Sequence, residues 1–281
     1  MSTAHFKPKL ERDLQQIARP RDPYFAQAGH FFVREYIRAQ LGQLGIVQVH
    51  SFDVRGMTHE NLILDLCPQS NNLKQRSPIL IGAHYDAVPG TPGADDNATG
   101  VAVLLALARY FSDTPPRSPL RFVAFDMEEY GLLGSHAYAQ WLKAQHQQLR
   151  LMLSLEMLGY TAQTQTYPAF LKHFYPAKGN FIALVGNVWT MPDLWRLSRQ
   201  IRKAGTPCEW LPAGFRGHLV PDTRRSDHAP FWDAGYRAMM VTDTANLRNP
   251  YYHLEGDRLE TLNLDFLAGV CQSLAIALRE L

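Results

Sequence analysis

The sequence predicts an α/β fold, a mostly parallel sheet with helices on both faces. Two patterns predict it. Short apolar runs of strand length alternate with longer segments of helical period. Several of those runs stop at acidic or imidazole residues, at the strand ends where open α/β sheets carry their ligand sites. Hydrophobic residues are 46% of the chain and charged residues 19%, which excludes disorder for the bulk of it and allows a large core. No linker or internal repeat divides the 281 residues, so a single domain over 1–281 is expected, with residues 1–20 peripheral.

Residues 24–42 carry apolar side chains at helical spacing and stop at Gly42, a candidate C-cap. Val47–Val54 and Asn61–Leu66 read as strands joined through Arg55-Gly56, a hairpin. The βα alternation begins with residues 78–86, PILIGAHYD. A helix follows over Asn97–Phe111, with Asn97 and Thr99 as candidate caps. Leu120–Phe125 is the second strand of the alternation, and Gly131–Ala144 the helix after it. Leu151–Leu155, Phe181–Val185 and Ala238–Val241 complete the strands. Helices fit around 192–204 and over Leu264–Leu278.

Composition narrows the function. Twenty-eight basic residues face 26 acidic ones without a long basic run, so nucleic acid is not an expected partner. The longest apolar run, Val101–Ala108, is too short to span a bilayer, so no membrane partner is expected either. The first residues lack an apolar signal core, which points to the cytoplasm; a trimmed signal would leave a secreted form open. Cys67, Cys208 and Cys271 are odd in number and far apart, and make neither a disulfide framework nor a thiolate cluster.

The residues at the strand ends carry the chemistry. His84 and Asp86 point the same way in an extended segment, where a carboxylate can hold the second nitrogen of a metal-binding imidazole. A histidine merely satisfied at a strand end is the plainer alternative. Asp95 and Asp96 precede an apolar helix and suit its positive end, yet both cannot serve as one cap. Glu128 and Glu129 repel each other unless positive charge is near. A metal supplies that charge, leaving one Glu to ligate and the other to act as general base; a solvated acidic turn is the rival. Glu156 ends an otherwise apolar strand and needs a partner there. His253 sits in a polar turn before the last helix, where a surface histidine is equally at home. Two imidazoles and several carboxylates suit zinc, with manganese or cobalt as substitutes. Five ligands, His84, Asp96, Glu129, Glu156 and His253, exceed what one catalytic zinc needs, so two ions fit the count better than one.

The ordered set HYD, GADDNATG, DMEEYGLLGS, LSLEMLGY, SDHAPFWDAG and YYH resembles the M28 family of zinc-dependent exopeptidases, over roughly residues 20–280. The resemblance implies a three-layer α/β/α domain around a mixed sheet of about eight strands. It implies that His84 binds one metal, that Asp96 bridges both, and that Glu129 and His253 bind the second. Glu156 stands where the family usually has an Asp on the first metal. Glu128 would be the general base, Asp86 would orient His84, and Tyr252 would hydrogen-bond the tetrahedral oxyanion. Asp227 falls at a pocket-lining position of relatives, or caps the short helix after it. A cis peptide between Asp96 and Asn97 is also implied. The implied activity is an aminopeptidase acting on peptides with a free N-terminus. A related glutaminyl cyclase, a carboxypeptidase using Arg216, Arg224, Arg225 or Arg248, and a non-catalytic receptor-like relative are the alternatives. Tyr167, Phe170, Phe174, Trp210 and Phe215 are candidate pocket walls or ordinary loop packing.

Overall fold

Along the central strands, successive apolar side chains fall on opposite faces, so both faces need covering. A computed structural model describes residues 3–68, 73, 75–218 and 220–281. The elements are α1 (Thr3–Ile17), α2 (Gln27–Gly42), β1 (Val47–Val54), β2 (Met57–Leu66), β3 (Ile79–His84), α3 (Gly100–Asp113), β4 (Leu120–Phe125) and α4 (Leu133–Ala144). Then come β5 (Leu151–Glu156), β6 (Ile182–Gly186), α5 (Met191–Lys203), β7 (Cys208–Pro212), α6 (His228–Ala234), β8 (Ala238–Thr242) and α7 (Leu264–Arg279). The strands form one eight-stranded mixed sheet of order β1-β2-β4-β3-β5-β8-β6-β7.

Ile79, Ile81 and Ala83 join a core with α1, α2, α3, α5 and α7, while Leu80 joins a second core with α4 and α6. The same alternation runs through β4, where Phe122 and Ala124 face the first layer and Val123 and Phe125 the second. This is a three-layer α/β/α arrangement. The two-residue β1–β2 turn is Arg55-Gly56, both at positive φ, as a tight hairpin requires.

Strands β4, β3, β5 and β8 are parallel neighbours, so their carboxyl ends share one edge of the sheet. The chain leaves β3 for β4 on one side, and from β5 it builds the sheet on the other. That divergence opens a crevice where His84 ends β3 and Glu156 ends β5.

Three expectations need correction. The parallel alternation does not extend to β6, which runs antiparallel to β8. No crossover helix lies between β5 and β6, and a parallel return needs one. Strand β7 was not read from the sequence; it is five residues long, sits at the sheet edge and ends in Pro212. Residues 1–20 were expected to be peripheral, but the described ones, 3–20, are not: Phe6, Leu10, Leu14 and Ile17 of α1 are almost wholly buried in the main core. The stripe is hidden in a polar stretch, and Asp13 within it is buried because Arg109 and Tyr36 bond its carboxylate.

This packing sets an expected outcome for α1. Phe6→Ala should lower unfolding free energy in urea by about 3–5 kcal/mol, the usual cost of emptying a buried aromatic site. A loss below about 1 kcal/mol would return the helix to the periphery.

Candidate metal centre and active site

His84 is fully buried at the end of β3. Its Nε2 stands 3.3 Å from Asp96 Oδ1, 3.6 Å from Glu156 Oε2 and 3.9 Å from Glu128 Oε2. On the other side of Asp96, His253 Nε2 stands 3.1 Å from Asp96 Oδ2 and 3.4 Å from Glu129 Oε2. Asp96 thus lies between two imidazoles, one oxygen toward each. All five residues expected to ligate, and Glu128 with them, converge on one crevice.

The donor set fits divalent cations. Tetrahedral zinc with bonds of about 2.0–2.1 Å separates its ligand atoms by roughly 3.3 Å, and the spans around both imidazoles bracket that value. His84 Nε2 and Glu129 Oε1 are buried and make no hydrogen bond, although such atoms are rarely left without a partner.

Backbone geometry holds these side chains. The Asp96–Asn97 peptide is cis. Asp95 and Asp96 lie in a kinked segment, Ala94–Thr99, that leads into α3, with non-helical backbone angles at Asp96 and Asn97. Asn97 Oδ1 accepts from Gly100 N and so caps α3, while its Nδ2 donates to the Leu155 carbonyl. Thr99 does not cap; its hydroxyl donates to Asp95 O and accepts from Leu158 N. Met127, at φ 61°, turns the chain after β4 so that Glu128 and Glu129 enter the crevice.

Asp86 lies 3.4 Å from His84 Nδ1 without a hydrogen bond, and its two oxygens accept instead from the amides of Glu128 and Glu129. It therefore ties the β4 acid pair to the end of β3. The Tyr252 ring stacks on His253 at 3.8 Å, and its hydroxyl accepts from Arg225 Nη2 at 3.2 Å. Asp227 is buried before α6, but neither carboxylate oxygen hydrogen-bonds, so it does not cap that helix.

Proton affinities reflect this crowding. Burial pushes Glu128 well above the ordinary carboxylate range, and Glu129 and Glu156 add to it. Burial also raises Glu129, with Asp96 reinforcing the shift. Burial would raise Asp96 too, but His253 and His84 hold it below the ordinary range.

Beside the centre lies a cavity of about 110 Å³ that starts at Glu156 and Tyr252. Tyr167, Trp210, Phe181, Val185, Leu211 and Met240 form its apolar wall. Of the candidate wall residues, Phe170, Phe174 and Phe215 face solvent instead.

Sequence reasoning missed three participants. Ser226 donates to Glu156 Oε2 at 2.8 Å, Asp257 accepts from the amides of Asp95 and Asp96, and Arg21 binds the same loop from the other side. Asp257 lies four residues after His253, but Glu255 between them is no less acidic, so the sequence does not single it out; Arg21 carries no signal either.

A buried cluster of imidazoles and carboxylates at the switch point of an α/β sheet defines a class of metal-dependent hydrolase. Residues 61–277 match the model of peptidase family M28, and the chain belongs to that family. It is 35% identical over 262 residues to "Uncharacterized protein YfbL" of Escherichia coli, covering 84% of this chain and 76% of that one. The zinc aminopeptidase of Bacillus subtilis is 26% identical with a TM-score of 0.62; the match covers 80% of this chain and 51% of that one. The LapA aminopeptidase of Legionella pneumophila shares the fold at a TM-score of 0.75 and 18% identity, over 99% of this chain and 73% of that one. The family and these relatives support a metal-dependent peptidase that uses zinc. No described helix is long and apolar enough to cross a membrane.

The two halves of the centre differ. The His84–Glu156 span of 3.6 Å is longer than the 3.1–3.4 Å from the imidazoles to Asp96 and from His253 to Glu129, and Glu156 Oε2 already accepts from Ser226. Zinc titration by calorimetry should therefore show two sites of unequal affinity, with the ion beside His84 leaving first under chelation. Glu156→Asp should change that first affinity and leave the second nearly unmoved. Two equal, tight sites in the unaltered protein would contradict this reading of the geometry.

Proposed function

We propose that the protein is an aminopeptidase in which His84, Asp96, Glu129, Glu156 and His253 would together hold two zinc ions. The observation that carries this is Asp96 with an imidazole 3.3 Å from one oxygen and another 3.1 Å from the second, beside the spare acid Glu128. Bound there, zinc would lower the pKa of a water and polarise the scissile carbonyl. Glu128 accepts the proton of that water and returns it to the leaving amine. Its neighbour Glu129 ligates, so the adjacent pair divides base and ligand between them. Tyr252 donates its hydroxyl to the developing oxyanion while Arg225 Nη2 donates to the same phenolic oxygen and holds it in place. Glu128 and Glu156 face the substrate's free ammonium.

The N-terminal side chain enters the adjoining cavity. Its volume of about 110 Å³ is close to that of engineered cavities that take up one benzene ring, and its wall is mainly apolar. The preferred first residue is therefore a large apolar one such as leucine, methionine or phenylalanine. Amino-acid p-nitroanilides, assayed with and without a chelator, test this reading. Leucine or phenylalanine substrates should exceed glycine by at least about 10-fold in kcat/KM, since a methylene in an apolar pocket is worth about 1–3 kcal/mol. Chelation should abolish turnover. A peptide with N-terminal glutamine separates the cyclase alternative, because cyclisation releases ammonia and hydrolysis releases the residue.

Glu128→Gln should keep the fold and zinc stoichiometry yet lower kcat at least ~100-fold. A variant retaining more than about a tenth of the original kcat would remove Glu128 from the base role.

A further inference from the structure

Asp96 is the only expected ligand placed between both imidazoles, so its position relative to His84 and His253 sets the geometry of the whole centre. Its side chain makes none of the hydrogen bonds that hold its backbone. Those come from two residues far away in sequence. Asp257 Oδ2 accepts from the Asp96 amide at 3.0 Å, and Asp257 Oδ1 from the Asp95 amide at 2.9 Å. On the other side, Arg21 Nη2 donates to the Asp96 carbonyl at 3.1 Å and to the Gly93 carbonyl at 2.8 Å. Arg21 Nη1 donates to Pro92 O at 2.6 Å, and Nε to Tyr85 O at 2.9 Å. Tyr85 directly follows His84. One guanidinium thus joins the backbone beside the first imidazole to the backbone of the bridging acid.

The surroundings are built for this contact. Arg21 is fully buried, and every hydrogen bond it makes goes to a backbone carbonyl. Converging carbonyls need several donors in one plane, which guanidinium supplies and an ammonium does not. A Cβ at Gly93 would stand 2.9 Å from Arg21 Nη2 and 2.2 Å from Asp96 O, so only glycine lets the loop close on the guanidinium. A Cβ at Gly29 of α2 would meet Pro20 O at 1.9 Å, so α2 lies directly on the segment that carries Arg21.

We propose that Arg21 is a positioning residue of the metal centre, fixing the Asp96 carboxylate between the two imidazoles against Asp257 on the opposite side. The inference rests on the two-zinc reading above. It makes the segment after α1 part of the site, since Arg21 reaches it from the N-terminal layer.

Zinc titration by calorimetry, paired with urea unfolding of the zinc-free protein, tests it. Arg21→Met should weaken zinc affinity by about 10–100-fold, the usual effect of losing a partner that orients ligands. Arg21→Lys should recover part of that affinity, because it keeps the charge with three donors instead of five. Arg109→Met is the comparison: Arg109 ties α3 to Asp13 of α1 without touching the loop. It should lower the urea midpoint and leave zinc affinity unchanged. Asp257→Asn should act in the same direction as Arg21→Met, and with Arg21→Lys carries the comparison if Arg21→Met does not fold. Unaltered affinity in the Arg21 and Asp257 variants would overturn the proposal. So would an equal loss in Arg109→Met, which would make the effect one of general stability. Absence of zinc binding by the unaltered protein would overturn the two-zinc reading itself, and this inference with it.

Discussion

The constraint on which this structure depends is the crowding of carboxylates in a buried crevice. Asp86, Asp96, Glu128, Glu129 and Glu156 gather around His84, and burial disfavours the charged forms of the three glutamates. Such a cluster persists only if the chain is held rigidly against its own repulsion. The chain does this twice by the same means. Asp86 accepts the two successive amides of the Glu128-Glu129 pair, and Asp257 accepts those of the Asp95-Asp96 pair. Each clamp uses one buried acid to fix the backbone of two others, leaving ligand side chains free to meet a cation.

The sheet explains why the acids arrive together. Four parallel strands end on one edge, and three of them hand over site residues: His84 from β3, the Glu pair after β4, Glu156 from β5. The rule that ligands bind outside carboxyl strand ends is therefore enough to read most of the site from sequence. His84, Glu128, Glu129 and Glu156 each follow or end an apolar run, and the structure brings them together with Asp96 and His253. The three-layer fold was legible for the same reason, because both faces of the central strands are apolar.

What was not legible depends on contacts across long sequence separations. Arg21 is one basic residue among several near it, and nothing local marks it as buried. The stripe of α1 is diluted by charged neighbours, so its apolar period shows only once α3 and α7 are in place to receive Phe6 and Leu10. The direction of β6 follows from what the 157–181 segment lacks, a helix to carry the chain back across the sheet. Short apolar runs do not state their direction. Asp86 shows a subtler limit. Its spacing from His84 was read correctly as a shared direction, but its oxygens are taken by amides that a two-residue motif cannot reveal.

The segment before α6 joins the apolar cavity to the cluster of acids and imidazoles. Val220, Asp222, Thr223 and Arg225 line the apolar cavity. Within the same few residues, Arg225 donates to the Tyr252 hydroxyl and Ser226 to Glu156, while Ser226 also shares a hydrogen bond with Ser154 of β5. A displacement of this segment would therefore shift both the Tyr252 hydroxyl and the Glu156 carboxylate. Glu156 sharpens the coupling. The Ser226 hydroxyl donates to the same Glu156 oxygen that stands nearest His84. Cavity and acid cluster are in this sense one structure: the segment that lines the cavity also holds Glu156 in place.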